Sequence, residues 1–310
     1  MGEQLVQADA KRRGYLQSRK QRLTRLSSRA APYPFILPAA LLVSAVALFP
    51  VGYALFHSLY QTEYLQAPTF VGFANFAEVF SDPLTWKNLV NSFVFVGGSL
   101  LLALPLGLGL AVALNGTFPL RTFFRATLLL PWVISQVAAG LVWSWLLNGQ
   151  YGPVHYVLTL AGLGEVEFLG SPVLAMPTVI VANVWRTFPL AMVLLLAALQ
   201  SVPDELVEAA KVDGATPWLA FWRITFPMIR PTLLNALILL SLTYFNTVTI
   251  LFVMTGGGPL STTDTLALRT FREGFQYWNT GWASALGVFI FVLNLLLTFV
   301  YRQFLKSGSS

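Results

Sequence analysis

The residues whose types and spacing best suit molecular recognition lie in one short polar stretch, residues 208–227. Its defining residues are Glu208, Ala209, Ala210, Gly214, Ile224 and Pro227. An exposed acid can pair with a basic residue of a partner, small residues permit close approach, and glycine tolerates the backbone of a tight turn. The spacing therefore predicts a docking element. The alternative is an ordinary amphipathic connection between two helices.

Local signals predict two short helices, the first of which begins before this stretch. Ser201 is a candidate cap for the first helix, and Gly214 stands where a helix end needs positive φ. Thr216 followed by Pro217 marks a second helix start. We therefore predict a helix, a turn and a second helix.

A second set of polar side chains interrupts two strongly apolar runs. Arg186 is the sole charge between Phe168 and Pro203. A charge in the middle of a membrane span costs roughly 2.5–3.5 kcal/mol and normally faces a cavity or a partner. We expect Arg186 to face a pathway; pairing with backbone carbonyls or with a companion subunit is the alternative. The second run carries Thr243, Tyr244, Asn246, Thr247 and Thr249. These side chains suit either solute binding or hydrogen bonding between helices.

Other chemistries find little support. A membrane enzyme needs His, Asp or Glu clustered at one membrane face, and we find no such cluster. The sequence contains no cysteine, which excludes thiolate metal sites. Its only glycine-rich run, Gly256 to Gly258, lacks the lysine of a phosphate-binding loop. We therefore expect no catalytic residue, no metal site and no cofactor bound by this chain.

Composition identifies the elements that hold these residues. Of the 310 residues, 56% are hydrophobic and 10% are charged, against about a quarter charged in soluble domains. Several charge-free runs exceed the ~20 residues that a membrane-spanning helix needs. We predict an all-α integral membrane protein with six spans. They cover residues 33–58, 91–114, 126–147, 174–199, 231–254 and 281–303.

Charge distribution predicts orientation and domain organisation. Most of the 19 Lys and Arg residues fall in the tails and loops on the amino-terminal side of the spans. The positive-inside rule then places both termini in the cytoplasm. We predict a basic cytoplasmic tail over 1–30 and a six-helix domain over 31–306, with a cytoplasmic loop over 200–230. A basic cluster beside a span fixes orientation and meets anionic lipid, so we do not expect nucleic-acid binding.

The chain resembles the membrane permease subunits of type I ATP-binding-cassette importers of the carbohydrate class, of the MalF type. The spacing E-A-A-x3-G-x9-I-x-x-P is that of their coupling loop, and the resemblance covers essentially the whole membrane region. Further matching segments are 130–132, 183–189, 200–203 and 255–259. Phe226 departs from the pattern, since the family usually has leucine before this proline.

The resemblance implies a function and partners. The coupling loop, with Glu208 against an arginine and Gly214 at the turn, would sit in a cleft of an ATPase subunit. Partners would be a second homologous permease, two ATPase subunits that bind ATP and Mg²⁺, an extracytoplasmic solute-binding protein and membrane lipid. The solute would be a sugar or a related polyol phosphate. The implied pathway residues are Trp132, Arg186, Thr187, Leu190, Thr243, Tyr244, Asn246 and Thr247.

A self-sufficient secondary transporter or channel is the alternative function. Such a carrier needs carboxylates inside the membrane to couple proton or sodium movement to transport. Every Asp and Glu of this chain falls in a predicted loop or tail. We therefore favour an ATP-driven importer located in a bacterial or archaeal plasma membrane.

Overall fold

The computed structural model describes residues 33–62, 67–116, 118–163 and 165–307. The predicted basic tail, 1–30, lies outside the described residues. The chain divides into two compact units, residues 1–56 and 57–310. The first contains nearly all of the first helix, and the second contains every other element.

Helices form almost all of the regular structure. In chain order they are α1 Tyr33–His57, α2 Ala74–Ser81, α3 Pro83–Asn115, α4 Arg121–Val133, α5 Gln136–Leu146, α6 Pro153–Leu160, α7 Ala175–Gln200, α8 Asp204–Val212, α9 Pro217–Ala220, α10 Phe226–Phe245, α11 Thr249–Met254, α12 Leu266–Phe271 and α13 Thr280–Ser307. Two π-helical turns, Phe221–Thr225 and Arg272–Gln276, follow α9 and α12. Strands β1 (Tyr60–Gln61) and β2 (Thr69–Phe70) pair antiparallel.

The predicted all-α membrane architecture is confirmed. Among the described residues, five helical segments are long and apolar enough to cross a membrane: α1, α3, α7, α13 and the segment Pro217–Phe245 that ends with α10. The bent pair α4 and α5 provides a sixth candidate span. The short helices α2, α6 and α12 lie in segments that connect the candidate spans.

The third span, predicted as one helix over 126–147, is broken. α4 ends at Val133, α5 begins at Gln136, and their axes are bent by 93°. Pro131 lacks the backbone N–H that would continue the hydrogen-bond ladder, and the Ser135 hydroxyl accepts a hydrogen bond from the Ala138 N–H at 3.2 Å. The serine therefore caps a new helix inside an apolar run that hydropathy alone reads as continuous.

The fifth span is also displaced and broken. It was predicted over 231–254, but α10 begins at Phe226 and ends at Phe245. Asn246 turns its side-chain amide back to donate to the Leu242 carbonyl at 2.7 Å, and α11 resumes at Thr249. The short α11 packs on α5, where Gly140 lies directly against Val253 and Met254. The two interrupted spans thus meet each other.

The centre of the second unit is the contact between α3 and α7. Buried residues of both helices, including Phe95, Ala103, Val179 and Ala191, form one cluster with Tyr244 of α10. Asn183 of α7 donates a hydrogen bond to the Ser99 hydroxyl of α3 at 3.1 Å. In membranes, helices pack closely where residues are small and where polar side chains bond across the interface.

Gly107 sets the closest approach of these two helices. A Cβ there would lie 2.8 Å from the Ala191 Cβ and 3.0 Å from the Met192 backbone nitrogen. Gly107→Ala is therefore expected to lower the free energy of unfolding by about 1–3 kcal/mol through overpacking. Gly109→Ala is the matched control, because a Cβ at Gly109 meets nothing within 4 Å. Unfolding titrations in detergent measure both variants, and equal effects would contradict this account of the interface.

Candidate functional site

Residues 204–227, which are called the docking stretch here after their predicted role, form the predicted helix, turn and second helix and run into the start of α10. Glu208 and Ala209 are exposed on α8, whereas Ala210 is only 8% exposed. Gly214 follows the helix end with φ of +82°, a conformation that glycine adopts without strain. The Ala215 N–H donates to the Ala210 carbonyl at 2.9 Å and closes the turn. The acid and one of the two alanines therefore face outward.

The second half of the stretch is a compact aromatic group. The Thr216 hydroxyl accepts a hydrogen bond from the Leu219 N–H at 3.3 Å and caps α9. Trp222 contacts both Trp218, at 5.6 Å between ring centroids, and Phe226, at 4.8 Å. Ile224 lies in the π-helical turn, and Pro227 lies in the first turn of α10. The stretch is therefore continuous with the helix that follows it.

A largely apolar cavity of about 670 Å³ lies where this stretch meets the long helices. Its lining includes Leu108 of α3, Leu199 of α7, Val207 of α8 and Trp218 of α9. Phe221 also packs against the buried cluster formed by the neighbouring ends of α3 and α7. The docking stretch is thus seated on the helix bundle rather than hanging free from it.

The polar residues of the predicted pathway come together where α7 meets α10. The Thr187 and Tyr244 hydroxyls share a hydrogen bond of 2.7 Å, and both side chains are buried. Arg186 directly precedes Thr187 on α7. The Arg186 Nε is shielded from solvent and has no hydrogen-bond partner. An arginine therefore stands beside a buried hydroxyl pair inside the membrane region.

The remaining predicted pathway residues are distributed differently. Thr243 and Asn246 are exposed on α10 and at its end, whereas Thr247 is only 5% exposed. Leu190 packs against the central cluster. Trp132 lies on α4, just before the bend, and is 46% exposed. The structure thus brings Arg186, Thr187 and Tyr244 into one group and places Trp132 on another element.

One polar residue of this face was missed from the sequence. Asn235 is exposed on α10, eight residues before Thr243. On a helix, this spacing puts the two residues on the same face. The signal in the sequence is an isolated amide within an apolar run.

A charged network joins the loop after α11 to the N-terminal end of α3. Asp264 is fully buried and pairs with Arg272, and the Asn88 amide donates to the Asp264 carboxylate at 3.3 Å. Arg269 pairs with Asp82 at 2.5 Å, and its guanidinium lies 4.5 Å from the Trp282 ring centroid. The sequence analysis had identified neither pair.

The two acids of this network differ in their electrostatics. Burial raises the pKa of the Asp264 carboxyl, and the Arg272 guanidinium offsets part of that effect. Partial burial also acts to raise the pKa of Asp82, but the Leu84 N–H and the Arg269 guanidinium outweigh it and hold that pKa below its usual value. Asp264 is therefore the costlier charge to bury.

The fold and sequence together define the class of protein. Residues 103–307 match the family described as "Binding-protein-dependent transport system inner membrane component". The chain belongs to this family and is a membrane permease subunit of an ATP-driven, binding-protein-dependent importer. The resemblance stated from the sequence is confirmed.

Particular relatives share nearly the whole chain. The sulfoquinovosyl glycerol transport system permease protein SmoG of Agrobacterium fabrum is 34% identical and covers 91% of this chain and 92% of its own length. The trehalose/maltose transport system permease protein MalF of Thermococcus litoralis is also 34% identical, with 87% and 92% covered. A chain from the crystal structure of a bacterial ABC transporter involved in the import of the acidic polysaccharide alginate has a TM-score of 0.80 at 25% identity. That likeness covers 92% of this chain and 99% of the other.

Proposed function

We propose that this permease imports a sugar or a related polyol phosphate and forms the translocation pathway with a second homologous permease. The solutes named for its relatives support this class, since they include trehalose, maltose, sulfoquinovosyl glycerol and sn-glycerol 3-phosphate. In this proposal, two ATPase subunits bind ATP and Mg²⁺ and supply the work. A solute-binding protein delivers the solute to the extracytoplasmic side. The permease itself is non-catalytic.

The observation that carries the proposal is the form of the docking stretch. An exposed acid and an exposed alanine stand on a short helix that ends in a left-handed glycine, and the next elements run directly into α10. Such a rigid elbow can enter a cleft in an ATPase and pass its movement to a membrane helix. We assign Glu208, Ala209, Ala210, Gly214, Ile224 and Pro227 to this coupling. In this arrangement, residues 200–230 and both termini are cytoplasmic.

The pathway is proposed to run along the face shared by α7 and α10. Arg186, Thr187, Tyr244, Thr243, Asn246 and Thr247 offer the hydrogen-bonding groups that sugar recognition requires. Trp132 and Leu190 supply apolar surface at its margins. Alternation between inward-facing and outward-facing states then follows the movement of the coupling loop.

Reconstitution tests this function. The permease, its sister permease and the ATPases are placed in vesicles, and solute-binding protein is added on the extracytoplasmic side. We expect ATP hydrolysis to rise when loaded binding protein is added, and uptake to require ATP. Vesicles that hold the permease alone should accumulate no sugar. Uptake by such vesicles would contradict the proposal and favour a self-sufficient carrier.

Cross-linking tests the docking contact. A cysteine at Ala209 should form a disulfide with a cysteine in the ATPase cleft, because Ala209 is exposed. A cysteine at Ala210 is the matched control and should react poorly, because Ala210 is only 8% exposed. Equal yields at the two positions, or none at Ala209 in the assembled complex, would count against this geometry.

A further inference from the structure

Among the described residues, none forms an ion pair with Arg186. Ion pairs are seen instead between Arg269 and Asp82, Arg269 and Glu273, and Arg272 and Asp264. The predicted spans contain no Asp or Glu at all. The neighbouring hydroxyls of Thr187 and Tyr244 bond to each other. A cation inside a membrane normally has a partner, and no described residue supplies one to Arg186, so its partner is expected outside the described residues.

The surroundings of Arg186 indicate where that partner lies. α7 is the most buried of the long helices, and α3, α4, α5, α10 and α11 all contact it. Near Arg186, the open side of α7 includes Val193, which is 41% exposed and, seven residues further on, lies on the same face as the half-buried Arg186. The neighbouring α10 presents Asn235, Thr243 and Asn246 on its own exposed side. Exposure of these polar side chains to lipid is energetically unfavourable, whereas a water-filled passage can hydrate them.

Building on the proposed function, we infer that the solute is anionic and that its negatively charged group pairs with Arg186 during passage. A guanidinium binds the planar or tetrahedral oxyanions of carboxylates, phosphates and sulfonates through two parallel hydrogen bonds. Because the Arg186 Nε is shielded from solvent, the terminal Nη1 and Nη2 groups are the donors left for this contact. The amides and hydroxyls of α10 are then left for the hydroxyl groups of the solute. Arg186 selects the charge, and the other side chains accommodate the sugar or polyol.

The experiment measures ATP-dependent uptake by vesicles that hold the complete importer. The probes are matched pairs that differ in charge: glucose 6-phosphate and glucose, glucuronate and glucose, sn-glycerol 3-phosphate and glycerol, and trehalose 6-phosphate and trehalose. We expect the anionic member of at least one pair to accumulate at least tenfold faster than its neutral partner. Arg186→Gln should lower that uptake about tenfold or more, and Arg186→Lys should retain most of it.

The controls separate recognition from assembly. Arg302→Gln, which removes an exposed positive charge from α13, should leave uptake unchanged. Co-purification of all subunits with the Arg186→Gln permease shows that its loss of uptake is not a loss of assembly. The outcome for the matched pairs requires no variant, so it decides the inference even if Arg186→Gln fails to fold.

Three results would overturn the inference. One is the absence of any pair in which the anionic probe accumulates faster than its neutral partner, and another is undiminished anion uptake by Arg186→Gln. The third is stimulation of ATP hydrolysis by loaded binding protein without uptake of any anionic probe. Failure of the proposed function looks different, because binding protein then stimulates no ATP hydrolysis at all.

Discussion

Asp264→Ala is expected to lower the free energy of unfolding by about 3–5 kcal/mol, because it removes one partner of a buried ion pair. The Asp264 side chain is fully buried, pairs with Arg272 and accepts a hydrogen bond from Asn88. Without the carboxylate, the Arg272 guanidinium keeps only the Gly256 carbonyl, at 3.0 Å. The loop after α11 then loses one of its attachments to α3, while Asn91 still donates to the Ser261 and Asp264 carbonyls. Unfolding of the purified permease in detergent, titrated with a denaturing detergent, measures the change.

Two further variants make this expectation specific. Asp213→Ala removes an exposed acid and should change the free energy of unfolding by no more than about 0.5 kcal/mol. Asp264→Ala combined with Arg272→Met removes both charges and should recover part of the loss, because no uncompensated buried charge remains. Equal effects of Asp264→Ala and Asp213→Ala would show that the buried pair contributes little.

Glu208→Lys is expected to reduce ATP-driven uptake to less than a tenth of the wild-type rate. In the proposed docking, the Glu208 carboxylate faces a basic residue of the ATPase, and reversal of its charge replaces attraction by repulsion. Truncating one partner of a buried interfacial charge pair costs about 2–5 kcal/mol, and each 1.4 kcal/mol is about a tenfold change in affinity. Uptake and ATPase co-purification are measured on the same preparation.

The matched control for this variant is Asp213→Lys. Asp213 directly follows α8 and is exposed, as Glu208 is, but five residues of helix place it on a different side. It should keep most of the uptake and ATPase association. Full activity of Glu208→Lys, or equal losses in the two variants, would remove Glu208 from the contact and leave only a general effect of charge.

Features set by local chemistry were predictable from the sequence. Gly214 was predicted at a left-handed helix end and has φ of +82°. A helix start was predicted at Thr216 and Pro217, and the Thr216 hydroxyl there accepts a hydrogen bond from the Leu219 N–H. The fourth span, predicted over 174–199, is Ala175–Gln200. In each case, nearby residues determine the outcome through backbone geometry or through the hydropathy of a long run.

Features set by packing were less predictable. Ser201 was expected to cap α8, but its hydroxyl donates to the Ala198 carbonyl at 2.7 Å and ends α7, while Asp204 begins α8. A serine serves either purpose, and the choice depends on where the preceding helix stops. The breaks near Ser135 and Asn246 both lie in runs that contain no charged residue, so hydropathy extended both spans across them.

The candidate site shows the same division. The residue types of Arg186, Thr187 and Tyr244 indicated a polar group inside the membrane. They could not show that Thr187 and Tyr244, which lie on different helices, are within hydrogen-bond distance. Asp264 and Arg272 stand at opposite ends of the short helix α12, eight residues apart. No periodicity identifies such a pair, because its geometry depends on how the loop folds back over α3.

The contact between α5 and α11 affects how this protein can change shape. Both segments are short, both adjoin a gap in the main-chain ladder, and Gly140 lets them touch closely. If α5 and α11 tilted together as a rigid body, the chain would bend between α4 and α5 and between α10 and α11, where helical hydrogen bonds are already missing. The energy of nucleotide hydrolysis would then move these two segments without breaking the hydrogen bonds of an intact helix.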